Sequence, residues 1–238
     1  MFASLRMLTV YLVLGVPAAL IGIPWSVLRK SFDMMYGWGM KIAWLGVKAA
    51  GIRVRIEGRE NIQPGVHYIF LSNHVSNLDP PIVLPNIPGM TSVFLKKELM
   101  NIPLLGTAMR MGKYVPVSRA NSREDAQRSV EAAADALNSG LHITVFPEGT
   151  RSPDGRLLPF KKGAFFLAEA TGAPIIPIVI TGTEKMMPRH TLRITPGEAY
   201  LKFLPPIQPH ASESREDLME RVRAAMEAEL ERRRVVEA

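Results

Sequence analysis

Cysteine is absent from the 238-residue chain. That excludes a disulfide framework, thiolate-bound zinc, iron–sulfur clusters, thiol redox pairs and a cysteine nucleophile. It leaves the redox compartment open, because a chain without thiols tolerates either one. Repeats, low-complexity linkers and a second-domain boundary are missing too. So are the Gly-x-Ser-x-Gly and His-Glu-x-x-His signatures, which removes the usual serine-hydrolase and zinc-protease arrangements. The stretch Gly106…Gly112-Lys113 resembles a phosphate loop but has one residue too many between its glycines. Tyr114 also stands where a hydroxyl would hold magnesium, so nucleotide hydrolysis is excluded. Acidic residues are the scarcer charge, 22 against 29 Lys and Arg, and the net +7 favours an anionic partner. Hydrophobic residues at 47% and charged residues at 21% are an ordinary globular balance, with room for one large core.

The positive charge is concentrated at the start. Residues 1–60 carry Arg6, Arg29, Lys30, Lys41, Lys48, Arg53, Arg55 and Arg59 against Asp33, Glu57 and Glu60. The same region holds the longest uncharged run, Met7 to Leu28. As a helix it would extend about 33 Å at ~1.5 Å per residue, enough to cross a bilayer core. It ends in Trp25 and Arg29-Lys30 rather than at a small-residue cleavage site, so it reads as retained. Gly15, Pro17, Gly22 and Pro24 interrupt it and allow a kinked or shallow insertion. Phe32, Tyr36, Trp38 and Trp44 then lie near Lys41 and Lys48, a mixture suited to the headgroup level. A core helix pair of a soluble protein is the alternative. Membrane association is the reading taken, by one span or by two helices in one leaflet. The basic residues after Leu28 place the remainder on the cytoplasmic side, at the inner cell membrane.

Beyond residue 50, β-branched runs alternate with helical stretches. Strands are expected at 52–57, 68–72, 92–95, 114–117, 143–146, 175–180, 192–194 and 199–204. Helices are expected at 122–138 with Ser122 as cap, at 163–171, and at 212–234 as an amphipathic C-terminal segment. The pattern predicts an α/β fold: an N-terminal membrane-anchoring helical segment over 1–50, then one catalytic domain over 51–238 with a mixed, largely parallel sheet flanked by helices. Sites in such sheets lie where loops leave the carboxyl ends of strands.

Two loops after expected strands carry chemistry. In Asn73-His74-Val75-Ser76-Asn77-Leu78-Asp79-Pro80-Pro81, an imidazole precedes a carboxylate by five residues. A regular helix would hold them about 140° apart. A turn closed by the prolines brings Asp79 back to one ring nitrogen, fixing the tautomer and leaving the other as a base. The plainer alternative has Asn73 or Asp79 capping a helix and His74 merely packed. In Phe146-Pro147-Glu148-Gly149-Thr150-Arg151-Ser152, Gly149 permits close backbone approach, Thr150 offers a hydroxyl and Arg151 a forked cation, together a phosphate site. Phe160-Lys161-Lys162-Gly163 adds positive charge. The alternative there is a polar turn with a Glu–Arg surface pair. Lys96-Lys97-Glu98-Leu99 follows a third expected strand.

Taken in order, Asn-His-x4-Asp, Lys-Lys-Glu-Leu, Gly…Gly…Arg, Phe-Pro-Glu-Gly-Thr-Arg-Ser and Ala173-Pro174-Ile175-Ile176-Pro177 resemble the glycerolipid acyltransferases. The likeness is greatest to the bacterial 1-acyl-sn-glycerol-3-phosphate acyltransferase (PlsC, lysophosphatidate acyltransferase) family, over roughly residues 30 to 210. Tyr114-Val115-Pro116-Val117-Ser118-Arg119 departs from the family, which more often has Asp before that Arg. The resemblance implies that His74 is the general base and Asp79 its orienting partner in acyl transfer to the 2-hydroxyl of lysophosphatidic acid, making phosphatidic acid for phospholipid synthesis. Arg151, Gly149 and Thr150 would hold the phosphate, helped by Lys96 and Arg119. Glu148 carries over as a site residue placed to orient Arg151. Acyl-CoA or acyl carrier protein would be the co-substrate, with no further cofactor and no metal. Glycerol 3-phosphate, a lyso-ornithine lipid or another lysophospholipid are the alternative acceptors. The partners are membrane lipids rather than nucleic acid, since the charge lies beside apolar anchors and no groove-reading motif occurs.

Overall fold

In the computed structural model, which describes residues 2–117, 123–210 and 212–237, the alternating pattern resolves into seven strands and, among the described residues, nine α-helices. The strands are β1 (Ile52–Glu57), β2 (Ile69–Ser72), β3 (Thr91–Lys96), β4 (Val115–Val117), β5 (His142–Val145), β6 (Ile175–Thr181) and β7 (Gly197–Phe203). They form one sheet in the order β1-β7-β6-β2-β5-β3-β4. Every neighbouring pair is parallel except β6 and β7. β2 and β5 are buried at every position. Both faces of these strands are covered, so even their polar residues Ser72, His142 and Thr144 are buried.

Side chains alternate between two helical layers. Ile69, Leu71, Ile143, Val145, Ile175 and Val179 meet α6 (Arg123–Asn138), α7 (Gly163–Thr171) and α9 (Arg215–Glu237). Leu218, Val222, Met226 and Leu230 of α9 recur every four residues, so a mostly charged helix still presents one apolar stripe. Phe70, Ile176, Ile178, Ile180, Leu201 and Phe203 face the other layer, built from α1 (Phe2–Val10), α3 (Asp33–Ala49), α4 (Asp79–Val83) and α8 (Thr183–Met186). Each fully buried Phe or Ile contributes about 1.5–3 kcal/mol relative to exposure.

The N-terminal run is one continuous helix. α1 passes through a π-helical turn (Tyr11–Gly15) into α2 (Val16–Arg29). The widened turn lies directly before Pro17, whose missing N–H and bulky ring interrupt regular pairing, so the break expected at this proline is a bulge rather than an end. Residues 2–29 are long and apolar enough to cross a membrane, and only 11% of their apolar window is buried. Phe2, Leu5, Leu8, Leu12, Ile21 and Leu28 are among the exposed side chains. α3 returns along this helix. Gly46 faces the ring of Tyr11, and Gly22 faces Met35. Ala3 and Met7 join the core with Val47 and Ile52, and Ile194 N–H donates to Ser4 Oγ, so the start of α1 is fastened to the sheet domain.

Residues 192–194 form no strand. The Ile194 and Thr195 amides are taken by Ser4 Oγ and by the Met186 carbonyl, and Pro196 follows, so no ladder forms. α5 (Leu105–Met111) links β3 to β4. Ser122, expected as a cap, lies outside the described residues.

Candidate active site

The carboxyl ends of β2, β5 and β6 lie side by side because these strands are neighbours and run the same way. Asn73 leaves β2 but stays tied to β6. Its amide donates to the Ile180 carbonyl over 2.9 Å, and its Oδ1 accepts from Ile180 N–H over 2.8 Å. This pair prolongs the ladder through a side chain and fixes the point from which His74 departs.

His74 Nδ1 lies 2.8 Å from Asp79 Oδ2. Asp79 opens α4, and the short turn before that helix brings the carboxylate back to the ring, with Pro80 and Pro81 in the first turn where an N–H is dispensable. The same oxygen accepts from the Val75 and Ser76 amides, each at 2.7 Å. Oδ1 accepts from the Thr183 hydroxyl at 2.6 Å. The Asp79 side chain is fully buried, whereas the imidazole keeps 18% exposure. A carboxylate only accepts, so Nδ1–H is the donor in this pair, the arrangement that in a neutral imidazole leaves the lone pair on Nε2. Phe146 lies against the imidazole with ring centroids 4.5 Å apart and limits its rotation.

The loop after β5 holds the backbone of the same histidine. Glu148, buried, accepts from His74 N–H at Oε1 and from Leu158 N–H at Oε2, both at 2.9 Å. Burial raises its pKa above the usual carboxylate value, and the two amide bonds oppose that rise. Ser152 N–H donates to the His74 carbonyl at 2.7 Å. Both polar groups of His74's backbone are therefore held by the 148–152 turn. The expectation that Glu148 orients Arg151 is corrected here: its two oxygens are engaged by backbone amides.

Gly149 has φ +67°, a conformation L side chains avoid, and a methyl added there would lie 2.7 Å from Lys161 Cε. Thr150 is exposed and Arg151 half-buried. Among the described residues Arg151 makes no ion pair. Lys96 ends β3 on the same sheet edge, two strands from β2 and thus about 10 Å across at ~4.8 Å per strand. Its ammonium lies 3.4 Å from Glu98. The structure thus gathers His74, Asp79, Glu148, Gly149, Thr150 and Arg151, with Lys96 farther along the edge. Arg119 lies outside the described residues. Sequence reasoning missed Thr183, which no spacing connects to Asp79, and the strand-extending role of Asn73.

Comparison with known proteins follows the same residues. The acyltransferase family model matches residues 53–181. A 1-acyl-sn-glycerol-3-phosphate acyltransferase from Limnanthes alba is 36% identical over 187 residues, 78% of this chain and 64% of that protein. The human 1-acyl-sn-glycerol-3-phosphate acyltransferase alpha is 33% identical over 157 residues, 66% of this chain and 56% of that protein. The chain thus matches less than two thirds of these relatives' length. The crystal structure of the 1-acyl-sn-glycerophosphate acyltransferase PlsC from Thermotoga maritima superposes with a TM-score of 0.77 at 29% identity, covering 97% of this chain and 95% of that one. By sequence and by fold, the chain belongs to the acyltransferase family.

Proposed function

We propose that this chain is a membrane-associated 1-acyl-sn-glycerol-3-phosphate acyltransferase. The observation that carries the reading is the His74–Asp79 pair, backed by three further donors on the carboxylate and set beside the Gly149–Arg151 turn. His74 Nε2 removes the proton from the free 2-hydroxyl of lysophosphatidate as that oxygen attacks the thioester carbonyl carbon. The new C–O ester bond forms, the C–S bond breaks, and the departing thiolate receives the proton from the imidazolium. Asp79 stabilises that imidazolium and holds the ring in position. A thioester is already activated, so no covalent acyl-enzyme is needed, in keeping with a chain without cysteine. General base catalysis of this kind is worth about 10²–10⁴-fold, and positioning adds more.

Arg151, with Gly149 and Thr150, binds the acceptor phosphate, and Lys96 adds positive charge along the edge. Residues 1–50 anchor the chain on the cytoplasmic face of the membrane, where acyl-CoA or acyl carrier protein delivers the thioester. The names of the relatives and the exposed apolar helix support this assignment.

The test is thiol release from palmitoyl-CoA by purified protein in detergent, with and without 1-oleoyl-glycerol 3-phosphate. A thiol-reactive dye reads the product directly, since the protein has no thiol of its own. Release should require the acceptor and vanish in His74→Ala. An acyl carrier protein thioester is the second donor to run. Acceptor-independent release, or turnover that survives in His74→Ala, would overturn the assignment.

A further inference from the structure

We infer that Lys161 is a second cation on the acceptor phosphate, paired across Gly149 with Arg151, and that the two together select a phosphomonoester. The inference rests on the function proposed above and adds a residue to its acceptor site.

Two adjacent lysines have different surroundings. Lys162 Nζ pairs with Glu216 Oε1 of α9 at 2.6 Å. Lys161, among the described residues, has no carboxylate partner. Its amide donates to the Pro147 carbonyl at 2.7 Å, which fastens it beside the 148–152 turn. Its side chain then lies over Gly149, where a methyl group would stand 2.7 Å from Cε and 2.9 Å from Nζ. The glycine is therefore needed twice, for its φ of +67° and for the passage of this ammonium.

The carboxylates nearby do not neutralise the turn. Glu148 is buried and engaged by the His74 and Leu158 amides. Asp154 accepts from Ser152 and from Arg156 N–H and stands 3.9 Å from the Arg156 guanidinium. Arg151 and Lys161 consequently present two positive charges at one turn. A phosphomonoester carries roughly −1.5 to −2 at neutral pH and complements that pair, whereas a phosphodiester carries a single charge. The turn holds both backbone polar groups of His74, through Glu148 and Ser152 N–H, so the two cations belong to a segment fastened to the residue that carries the imidazole.

The test is a ³¹P NMR titration of 1-oleoyl-glycerol 3-phosphate in detergent micelles with wild type, Lys161→Met, Lys162→Met and Lys161→Arg. Lys161→Met should weaken binding about 10- to 100-fold. Lys162→Met should match wild type, and Lys161→Arg should recover most of the loss. The methyl phosphodiester of the same lipid should bind wild type and Lys161→Met alike. Turnover, scored separately, should show a raised acceptor KM in Lys161→Met with kcat and donor KM unchanged. Equal affinity in wild type, Lys161→Met and Lys162→Met overturns the inference while leaving the proposed function intact. Weakened binding in Lys161→Met alone, with no acyl transfer by wild type, upholds the anion site and removes the proposed function.

Discussion

The hydroxyl of Thr183 lies 2.6 Å from Asp79 Oδ1, across 104 positions of sequence. β6 ends at Thr181, and Gly182, with φ +88°, turns the chain so that the next side chain points back to the end of β2. The Asp79 carboxylate is thus held both from its own loop, by the Val75 and Ser76 amides, and from a different strand than the one that leads to His74. Two segments must be in register before the imidazole is correctly aimed.

That relationship gives a positioning test. Thr183→Val keeps the shape and removes the donor, leaving Asp79 with three hydrogen bonds. We expect kcat to fall about 10-fold, against about 10²–10⁴-fold for His74→Ala, with both KM values near wild type. Thr183→Ser should restore most of the rate. Steady-state thiol release decides it, and a Thr183→Val enzyme with wild-type kcat would show that the bond is incidental.

Glu148 tests the other support. Its oxygens accept from two backbone amides, and a glutamine at this position has only one accepting oxygen. Glu148→Gln should cost about 1–3 kcal/mol in stability, because an amide N–H then faces the carboxamide nitrogen of the glutamine. It should lower kcat by displacing His74, with acceptor KM less affected than in Arg151→Ala. A variant that raised only acceptor KM would instead place Glu148 in phosphate binding.

Most of this site was legible where chemistry sits in one segment. Asn73 to Pro81 encodes the imidazole, its carboxylate and the turn that joins them, and Phe146 to Ser152 encodes the turn proposed to hold the phosphate. The β-branched runs located β1, β2, β5, β6 and β7 to within one or two residues, whether the strand is buried on both faces like β6 or half-exposed like β1. What could not be read depends on distant segments meeting. Thr183 is an ordinary hydroxyl until the sheet order places β6 beside β2. Glu148 beside Arg151 in sequence suggested an ion pair, yet the fold directs that carboxylate to backbone amides. Residues 192–194 have strand composition, but the Ile194 amide is taken by Ser4 and the Thr195 amide by the Met186 carbonyl, so no ladder forms.

The N-terminal hairpin offers a packing test. At Gly46 an added Cβ would run into the ring of Tyr11, so even alanine forces the ring to move. Overpacking of this kind costs about 1–3 kcal/mol. Gly46→Ala should lower the thermal midpoint in detergent, and Gly46→Ala with Tyr11→Leu should regain much of the loss. A Gly46→Ala midpoint equal to wild type would mean that α1 and α3 are not closely packed in solution.

A buried histidine at the opposite end of the sheet from His74 offers a pH test. His142 opens β5, buried, with its Nδ1 accepting from Tyr68 N–H at 3.1 Å and the His67 ring 5.7 Å away. Burial, reinforced by His67 and opposed by a hydrogen bond to the Pro88 carbonyl, pushes its pKa down from 6.5 to about 4. The unfolded chain then binds a proton at a higher pH than the folded one does. Stability contributed by the neutral ring is fully present above pH 6.5, declines as pH falls toward 4, and is lost below that. At about 1.36 kcal/mol per pKa unit the loss amounts to at most about 3 kcal/mol. His142→Leu should start less stable at pH 7.5, having lost the acceptor for Tyr68 N–H, but should fall less steeply on acidification. Thermal midpoints of both proteins from pH 7.5 to 4.5 would show the wild-type curve converging on the variant's. Parallel curves would mean that His142 takes up its proton in the folded protein at an ordinary pH, and that Tyr68 N–H is satisfied in some other way.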